Sequence, residues 1–553
     1  MSEQDPAHAH PVPTVRGRSV QLCVAALAAL LPLHLLVLVL RGSAFSGNDY
    51  FEMVPQVVAS DGSVIWSGLF THQNDHLVAL PKVIYLANIW LFSGSNVSLG
   101  VIVWLLAVLV GVALVWGMRH QLPTSGWNFV IVCWLLAVYL FPLQGQHNFR
   151  LAMSGASWIL ANVFAVAAVA LLVHGRPVLA GVSGALATIS YGTGLALWPA
   201  LAVIVVVRRR FGKGEIAMFV LGAASVGLQR LTADSERAAF YSWNVIEIGR
   251  SMTVTVGGLV TDEPNTASLV GLAAIIAVAA AIVRLGPRLA DTAPLLLVGV
   301  ITYTMTGLAL FGISRGIFGD DAFLASRYMT FAALFVLAAS LLVLSIDHRS
   351  NLARGLIVMM ALGSVLASGA TTDRLDGRQR RADVHMVAAY MGAGVGVIPL
   401  YSDATDAAFR ASGHIPFHGG FAGDCKRFGQ RLDPGAIVVS DDVVGRVETL
   451  RSPGTDDPIL APAAVDVVPA FEISGWLDAP EDVECVLIVD DDAVVVGIAI
   501  LGRPRLEATG PGATLRAVTG WDGYVLQGST PGRALVKLRD DDRFFVIDRV
   551  PDL

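Results

Sequence analysis

The strongest constraint in this chain is a succession of apolar runs of roughly 17 to 22 residues, each able to carry a helix across a hydrocarbon core of about 30 Å. They fall at about 20–40, 97–118, 127–145, 154–173, 177–192, 194–207, 214–228, 267–283, 292–311, 326–346 and 355–370. A water-soluble fold would instead alternate apolar and polar helix faces. Of the 553 residues 54% are hydrophobic and only 15% charged, against roughly 25% charged in soluble domains. The pattern predicts an α-helical polytopic membrane protein with about eleven transmembrane helices. The two runs around Tyr191 to Gly194 are short and glycine-interrupted, and the segment VIYLANIWLFS at 83–93 is too short to cross, which suits an interfacial or re-entrant piece. The first run follows Arg16 and Arg18 but has no small-x-small cleavage site before Arg41, so it reads as a retained span, not a signal peptide.

Basic residues orient the spans, because cytoplasmic loops are richer in Lys and Arg. With residues 1–19 as a cytoplasmic tail, alternate loops carry Arg119, Arg176, the RRRFGK run at 208–213, Arg284 with Arg288, and Arg349 with Arg354. An odd span count then puts everything after about 371 on the outer side of the plasma membrane. The net charge of −6 and the lack of a basic stripe exclude a nucleic-acid partner. Thirty-four of the 38 basic residues are Arg, a bias of GC-rich bacterial genomes.

The expected division is therefore a tail at 1–19, a multi-pass domain at 20–370 and a soluble extracytoplasmic domain at 371–553. The last region loses its long apolar runs. After a helix near 381–391, it shows alternating stretches at 436–440, 470–476, 484–490, 493–501, 524–528 and 543–547, separated by turn residues, as in an antiparallel β-sandwich. Cys425 and Cys485 both lie here, whereas Cys23 and Cys133 lie in spans. An oxidising compartment would join Cys425 to Cys485; the other reading is two buried free thiols.

Ionisable groups at or near membrane depth are costly, so their placement is informative. They gather in the loops assigned outside: GNDYFEM at 47–53, THQNDHLVALPK at 71–82, QGQHNFR at 144–150, ISYGTGLALWP at 189–199 and GISRGIFGDDAFLASRY at 312–328. Asp49, Glu52, Asp75, His72, His76 and Lys82 thus face the same side as Arg150, Tyr191, Arg315 and Arg327. Carboxylates and guanidinium groups at a membrane surface suit group transfer from a lipid phosphate. A carboxylate takes the proton of an acceptor hydroxyl, and planar guanidinium groups hold the departing phosphate. His72 and His76, four apart with Asp75 between, could hold a divalent cation, although no third ligand is identifiable; no other cofactor is indicated. Tyr191, Trp198, Trp66 and Trp90 could stack on sugar rings or simply belong to interfacial belts. The triplets Asp490-Asp491-Asp492 and Asp540-Asp541-Asp542 read as hairpin turns.

An acid-bearing first outer loop directly after the first span, about eleven spans and a β-rich outer C-terminal domain together resemble the GT-C class of integral membrane glycosyltransferases, with actinobacterial cell-envelope arabinosyl- and mannosyltransferases the nearest picture. The resemblance implies a polyprenyl-phosphate-linked sugar donor and a glycan or glycolipid acceptor, with membrane lipid around the spans. It also implies a general base in the first outer loop, which Asp49 matches, with Glu52 next in line. Several subfamilies carry an adjacent acidic pair where this chain has Asn48-Asp49. Two other functions fit the same topology: an O-antigen-type polymerase or ligase working through outer-loop arginines, and a non-enzymatic lipid or glycan transporter.

Overall fold

The computed structural model describes residues 15–47, 49–73, 76–122, 126–232, 241–346, 350–393, 398, 400–417, 425–439, 443–451, 470–478, 483–507, 516–527, 529–539 and 541–550. The chain divides into two compact units: one of residues 1–41, 74–81 and 100–373, the other of 42–73, 82–99 and 374–553. Ten strands lie among the described residues: β1 (His72–Gln73), β2 (His76–Leu77), β3 (Ile437–Val439), β4 (Val444–Arg451), β5 (Ala470–Asp478), β6 (Val483–Val489), β7 (Val495–Glu507), β8 (Arg516–Leu526), β9 (Arg533–Leu538) and β10 (Phe544–Arg549).

The first unit is helical. Eight helices of the described chain are long and apolar enough to cross a membrane: Ser19–Leu40, Asn96–Met118, Gly126–Gly145, Ala152–Val173, Pro264–Ala290, Thr292–Arg315, Ser326–Ile346 and Asn351–Tyr390. Eleven were expected. The difference lies at 177–231, where the apolar runs form helices Pro177–Thr188, Leu197–Arg208 and Lys213–Leu231. The first two have 12 residues each and rise roughly 18 Å at 1.5 Å per residue, short of a bilayer core. The third carries Lys213, Glu215 and Arg230.

Ala152–Val173 and Ser326–Ile346 are buried along most of their length. Thr292–Arg315 packs on both: Tyr303 donates its hydroxyl to Asn162 Oδ1 (2.8 Å) and meets the Phe331 ring edge-on at 5.2 Å. Helices Asn96–Met118 and Pro264–Leu285 present Leu105, Leu109, Val112, Leu269, Leu272 and Ile276 at the surface. Such faces suit hydrocarbon.

In the second unit, β3 to β10 form one eight-stranded sheet in the order β3-β10-β9-β6-β7-β8-β5-β4. Of its seven strand pairings, β10 with β3 is parallel and the other six are antiparallel. A two-sheet sandwich was expected; the hydrogen bonds instead run through a single sheet that folds over one core. Val447 on β4, Ile473 on β5, Val486 on β6, Trp521 on β8 and Ile547 on β10 share that core. Val447 N–H donates to Asp548 Oδ2 (2.9 Å), joining β4 at one edge of the sheet to β10, the strand next to the other edge. Alternation marks which face of a strand is buried, but not which neighbour it pairs with, so two layers and one curled layer look alike in sequence.

Cys425 and Cys485 form the disulfide. Arg380, on helix Gly369–Tyr390, pairs with Asp522 on β8. In the same unit, helix Asp49–Val57 buries Tyr50, Phe51, Met53, Val54 and Val57. Its aromatic face meets helix Asp403–Ser412: Phe51 lies 5.2 Å from Tyr401 and 5.9 Å from Phe409, and Thr405 Oγ1 donates to Phe51 O (2.8 Å). The Tyr50 hydroxyl lies 3.1 Å from His414 Nε2, and the His414 ring stacks on Phe409 at 4.2 Å. Gly94, at φ +68°, lies so close that a Cβ there would meet the His414 ring at 2.3 Å. Burial holds the His414 imidazolium far below its ordinary range, at about 3.

Candidate functional site

Most candidate residues fall into two groups, one in each unit. In the helical unit, the segment Gln144 to Arg150 leaves a span and turns back through the short helix His147–Arg150 into Ala152–Val173. The return is tight: a Cβ on Gly155 would lie 1.9 Å from Asn148 O. Gln146, Asn148 and Arg150 are buried, so their polar atoms must bond within the protein. Asn148 Nδ2 donates to Arg327 O (2.7 Å) and Thr330 Oγ1 (2.8 Å), tying the turn to the first residues of Ser326–Ile346. Gln146 Nε2 donates to Thr372 Oγ1 (2.8 Å), and Thr371 Oγ1 donates to Gln144 Oε1 (2.7 Å). Arg150 donates to Gln146 Oε1 (3.2 Å).

The same unit carries a file of rings. His76 lies 4.4 Å from Tyr191, Tyr191 lies 4.7 Å from Trp158, and Trp158 meets Tyr328 edge-on at 5.3 Å. The Arg327 guanidinium sits 5.0 Å over Tyr328, within cation–π range. Gly192 permits the His76 contact, since a Cβ there would fall 2.4 Å from His76 Nδ1. The structure thus links His76, Tyr191 and Arg327 along one file of rings, and Arg150 lies in the turn whose Asn148 holds the Arg327 carbonyl. Arg327 is half-buried and Arg150 is 3% exposed, which makes Arg327 the accessible cation and Arg150 a support of the turn.

Arg315 ends helix Thr292–Arg315 with its guanidinium 5.6 Å over Phe318, one turn beyond Phe311, whose ring lies 3.9 Å from Tyr328. Asp320 takes two hydrogen bonds from Arg250, at 2.6 and 2.8 Å. Trp158 and Tyr328 were not singled out in the sequence. Trp158 stands eight positions after Arg150, and Tyr328 directly follows Arg327, a spacing that could have flagged both. Trp66 and Trp90 are exposed, and Trp198 Nε1 donates to Thr188 Oγ1 (3.1 Å).

In the second unit, Asp49 and Glu52 occupy the first turn of helix Asp49–Val57, three apart on a helical face. Asp49 is half-buried and Glu52 exposed. Glu52 Oε2 accepts from Gln73 Nε2 (3.2 Å), and Gln73 Oε1 accepts from Gln56 Nε2 (3.2 Å). Gln56 Oε1 in turn accepts from Lys82 Nζ (2.8 Å) and Thr71 Oγ1 (2.8 Å).

Lys82, expected among the ligand-binding groups, is fully buried. Its ammonium donates to Gln56 Oε1, Gly68 O, Thr71 O and Thr71 Oγ1, all at 2.7–2.8 Å. It therefore props the segment around Glu52 from within. Burial among uncharged oxygens pushes it down to about 8.

His72 and His76 lie on β1 and β2, and Asp75 lies outside the described residues. Among the described residues no group of three His, Cys, Asp or Glu side chains could hold a metal ion. The acidic triplets behave as turns where they are described: Asp490 Oδ1 accepts from Asp492 N (3.0 Å) and Val494 N (2.8 Å), and Asp541 pairs with Arg543 at 2.6 Å.

The helical unit with its polar turn, together with a C-terminal β-sheet domain, defines an α-helical membrane protein of several spans. Comparison with protein-family models, curated proteins and solved structures finds no match to the chain.

Proposed function

We propose that this protein is a membrane glycosyltransferase that takes a sugar from a polyprenyl-phosphate donor and places it on a glycan or glycolipid acceptor of the bacterial cell envelope. The observation that carries this reading is the half-buried Arg327, held over Tyr328 at the end of the file His76–Tyr191–Trp158–Tyr328 and anchored through its carbonyl by Asn148. A guanidinium beside aromatic faces, within apolar helices, suits a phosphate joined to a sugar and a hydrocarbon tail. The cation meets the phosphate, ring faces meet the sugar, and neither needs a nucleotide site. Arg150 positions the turn that carries Asn148, and Arg315, one helical turn beyond the Phe311 ring that packs on Tyr328, is the second phosphate-holding cation.

The carboxylate that accepts the hydroxyl proton is assigned to Asp49, with Glu52 the second choice. The Cys425–Cys485 disulfide supports an oxidising compartment for the β-sheet domain, and with it an outward-facing sheet on the plasma membrane; a cytoplasmic N-terminus, which then needs an odd number of crossings, rests on the basic residues of the loops alone.

The test is glycan and lipid mass spectrometry of a deletion strain complemented with variants. Arg327→Gln and Asp49→Asn should each leave one unextended intermediate, with turnover reduced by a factor of roughly 10² to 10⁴. Full restoration by Asp49→Asn with loss in Arg327→Gln would favour the polymerase or ligase reading. Movement of a labelled lipid in proteoliposomes without covalent transfer would favour a transporter.

A further inference from the structure

Within the helical unit, a groove of about 600 Å³ runs between the first helix pair (Val15–Leu27 and Leu30–Leu40), Asn96–Met118 and Gly126–Leu140. Its walls are almost wholly apolar, and small residues open it: Ala25, Ala28 and Ala29 on the first pair, Gly111 opposite, and Ala137 beside. Two indoles hold the first pair in place along it. Trp134 Nε1 donates to Val24 O (3.0 Å) and Trp104 Nε1 donates to Pro32 O (2.9 Å), on either side of the small residues Ala25, Ala28 and Ala29.

One end of the groove carries charge. Arg119 lines it, with its guanidinium 5.7 Å over Trp116 and Nε 3.1 Å from His120 Nε2. Trp116 also stacks on His174 at 4.8 Å, at the end of Ala152–Val173. Arg208 closes that same helix end, donating to Leu172 O (2.8 Å) and to Val173 O. Arg119, His174 and Arg208 therefore gather at one end of the unit, with Arg176, Arg209, Arg210 and Lys213 adjoining in sequence. From Val108 to Arg119 a helical path rises roughly 16 Å, long enough for a substantial part of an acyl chain.

We infer that this groove is a binding site for an anionic glycerophospholipid, with one acyl chain laid along Ala29, Gly111 and Ala137 and the phosphate on Arg119. An apolar trough ending in a guanidinium matches a ligand with the same order of parts, and the neighbouring basic residues favour a headgroup of net negative charge over a zwitterionic one. This site stands apart from the Arg327 file and requires nothing of the transferase reading.

The test is native mass spectrometry of the full-length protein in detergent, titrated with dioleoylphosphatidylglycerol or dioleoylphosphatidylcholine. Wild-type protein should hold one phosphatidylglycerol more tightly than phosphatidylcholine. Arg119→Gln, at an exposed position, should weaken phosphatidylglycerol about fivefold and erase the preference. Ala29→Phe should weaken both lipids by filling the trough, and Val112→Phe, on the opposite exposed wall, gives a second filling variant if the first fails to fold. Equal affinity for the two lipids in wild type, or a preference unchanged by Arg119→Gln, would overturn the headgroup assignment. Retention of both lipids by the filled variants would overturn the groove itself. Displacement of phosphatidylglycerol by undecaprenyl phosphate at lower concentration would also overturn the proposal, since the occupant would then be a prenyl lipid.

Discussion

In the helical unit, Leu105, Leu109, Leu272 and Ile276 lie on the surface while Gln146, Asn148 and Arg150 are buried; in the sheet, Val486, Trp521 and Val536 are buried while the turns carry Asp490 to Asp492. The two units hold their interiors together by different means. The sheet relies on an apolar core and one covalent cross-link. The helical unit stitches a polar turn to its neighbours with side-chain hydrogen bonds, because at membrane depth an unpaired donor has no water to fall back on. Stability in the first should therefore respond to cross-linking and packing, and in the second to single polar deletions.

The largest expected effect is on the sheet. Cys425→Ser opens a loop of 60 residues, which by loop entropy costs about 4 kcal/mol. Denaturant titration of the full chain in micelles, with and without reductant, should show the loss in wild type only when reduced and in the variant always. A variant as stable as oxidised wild type would break the comparison.

Lys82→Met should cost about 2 kcal/mol by stranding the oxygens that accept from the ammonium. Because burial lowers the folded-state pKa to about 8, the unfolded chain binds more protons between there and the ordinary value of about 10.4. Wild-type stability should rise with pH across that window and the variant's should not. A flat wild-type profile would show that the four acceptors hold the ammonium charged.

Asn148→Ala should cost about 1 kcal/mol by removing two hydrogen bonds. It should also reduce sugar transfer more than it reduces stability, because the Asn148 side chain holds the Arg327 backbone. Equal losses in both would make the turn merely structural. Smallest is Arg250→Ala. The Arg250–Asp320 pair is partly exposed and should contribute no more than about 0.5 kcal/mol. Arg250 holds the Asp320 carboxyl below its usual range, so that contribution is present above the ordinary carboxylate pKa and fades as pH falls through the lowered value, and also with added salt.

Much of this architecture is written locally. The runs at 97–118, 154–173 and 326–346 return as Asn96–Met118, Ala152–Val173 and Ser326–Ile346, because hydrophobic length alone decides them. The stretches at 470–476 and 484–490 return as β5 and β6, and the two domain cysteines do pair. Strands β4 and β9 escaped notice, since VGRVETLR and RALVKL carry charge within the alternation. The grouping of residues 42–73 and 82–99 with the C-terminal region was also illegible. It rests on contacts such as Tyr50 with His414 and Phe51 with Thr405, separated by 364 and 354 positions, for which no short-range pattern exists. The site was legible as residue types but not as a set: Arg327 and His76 meet only through Tyr191, Trp158 and Tyr328.

The parallel pairing of β3 with β10 sets the timetable of biosynthesis. Spanning helices can enter the bilayer one after another as they leave the ribosome, but β3 must wait for residues 544–546, more than a hundred positions later, before its edge is covered. A nascent chain released even a dozen residues early would carry most of the sheet and still expose the sides of β3 and β9, a form that quality-control proteases and sticky neighbours could both seize.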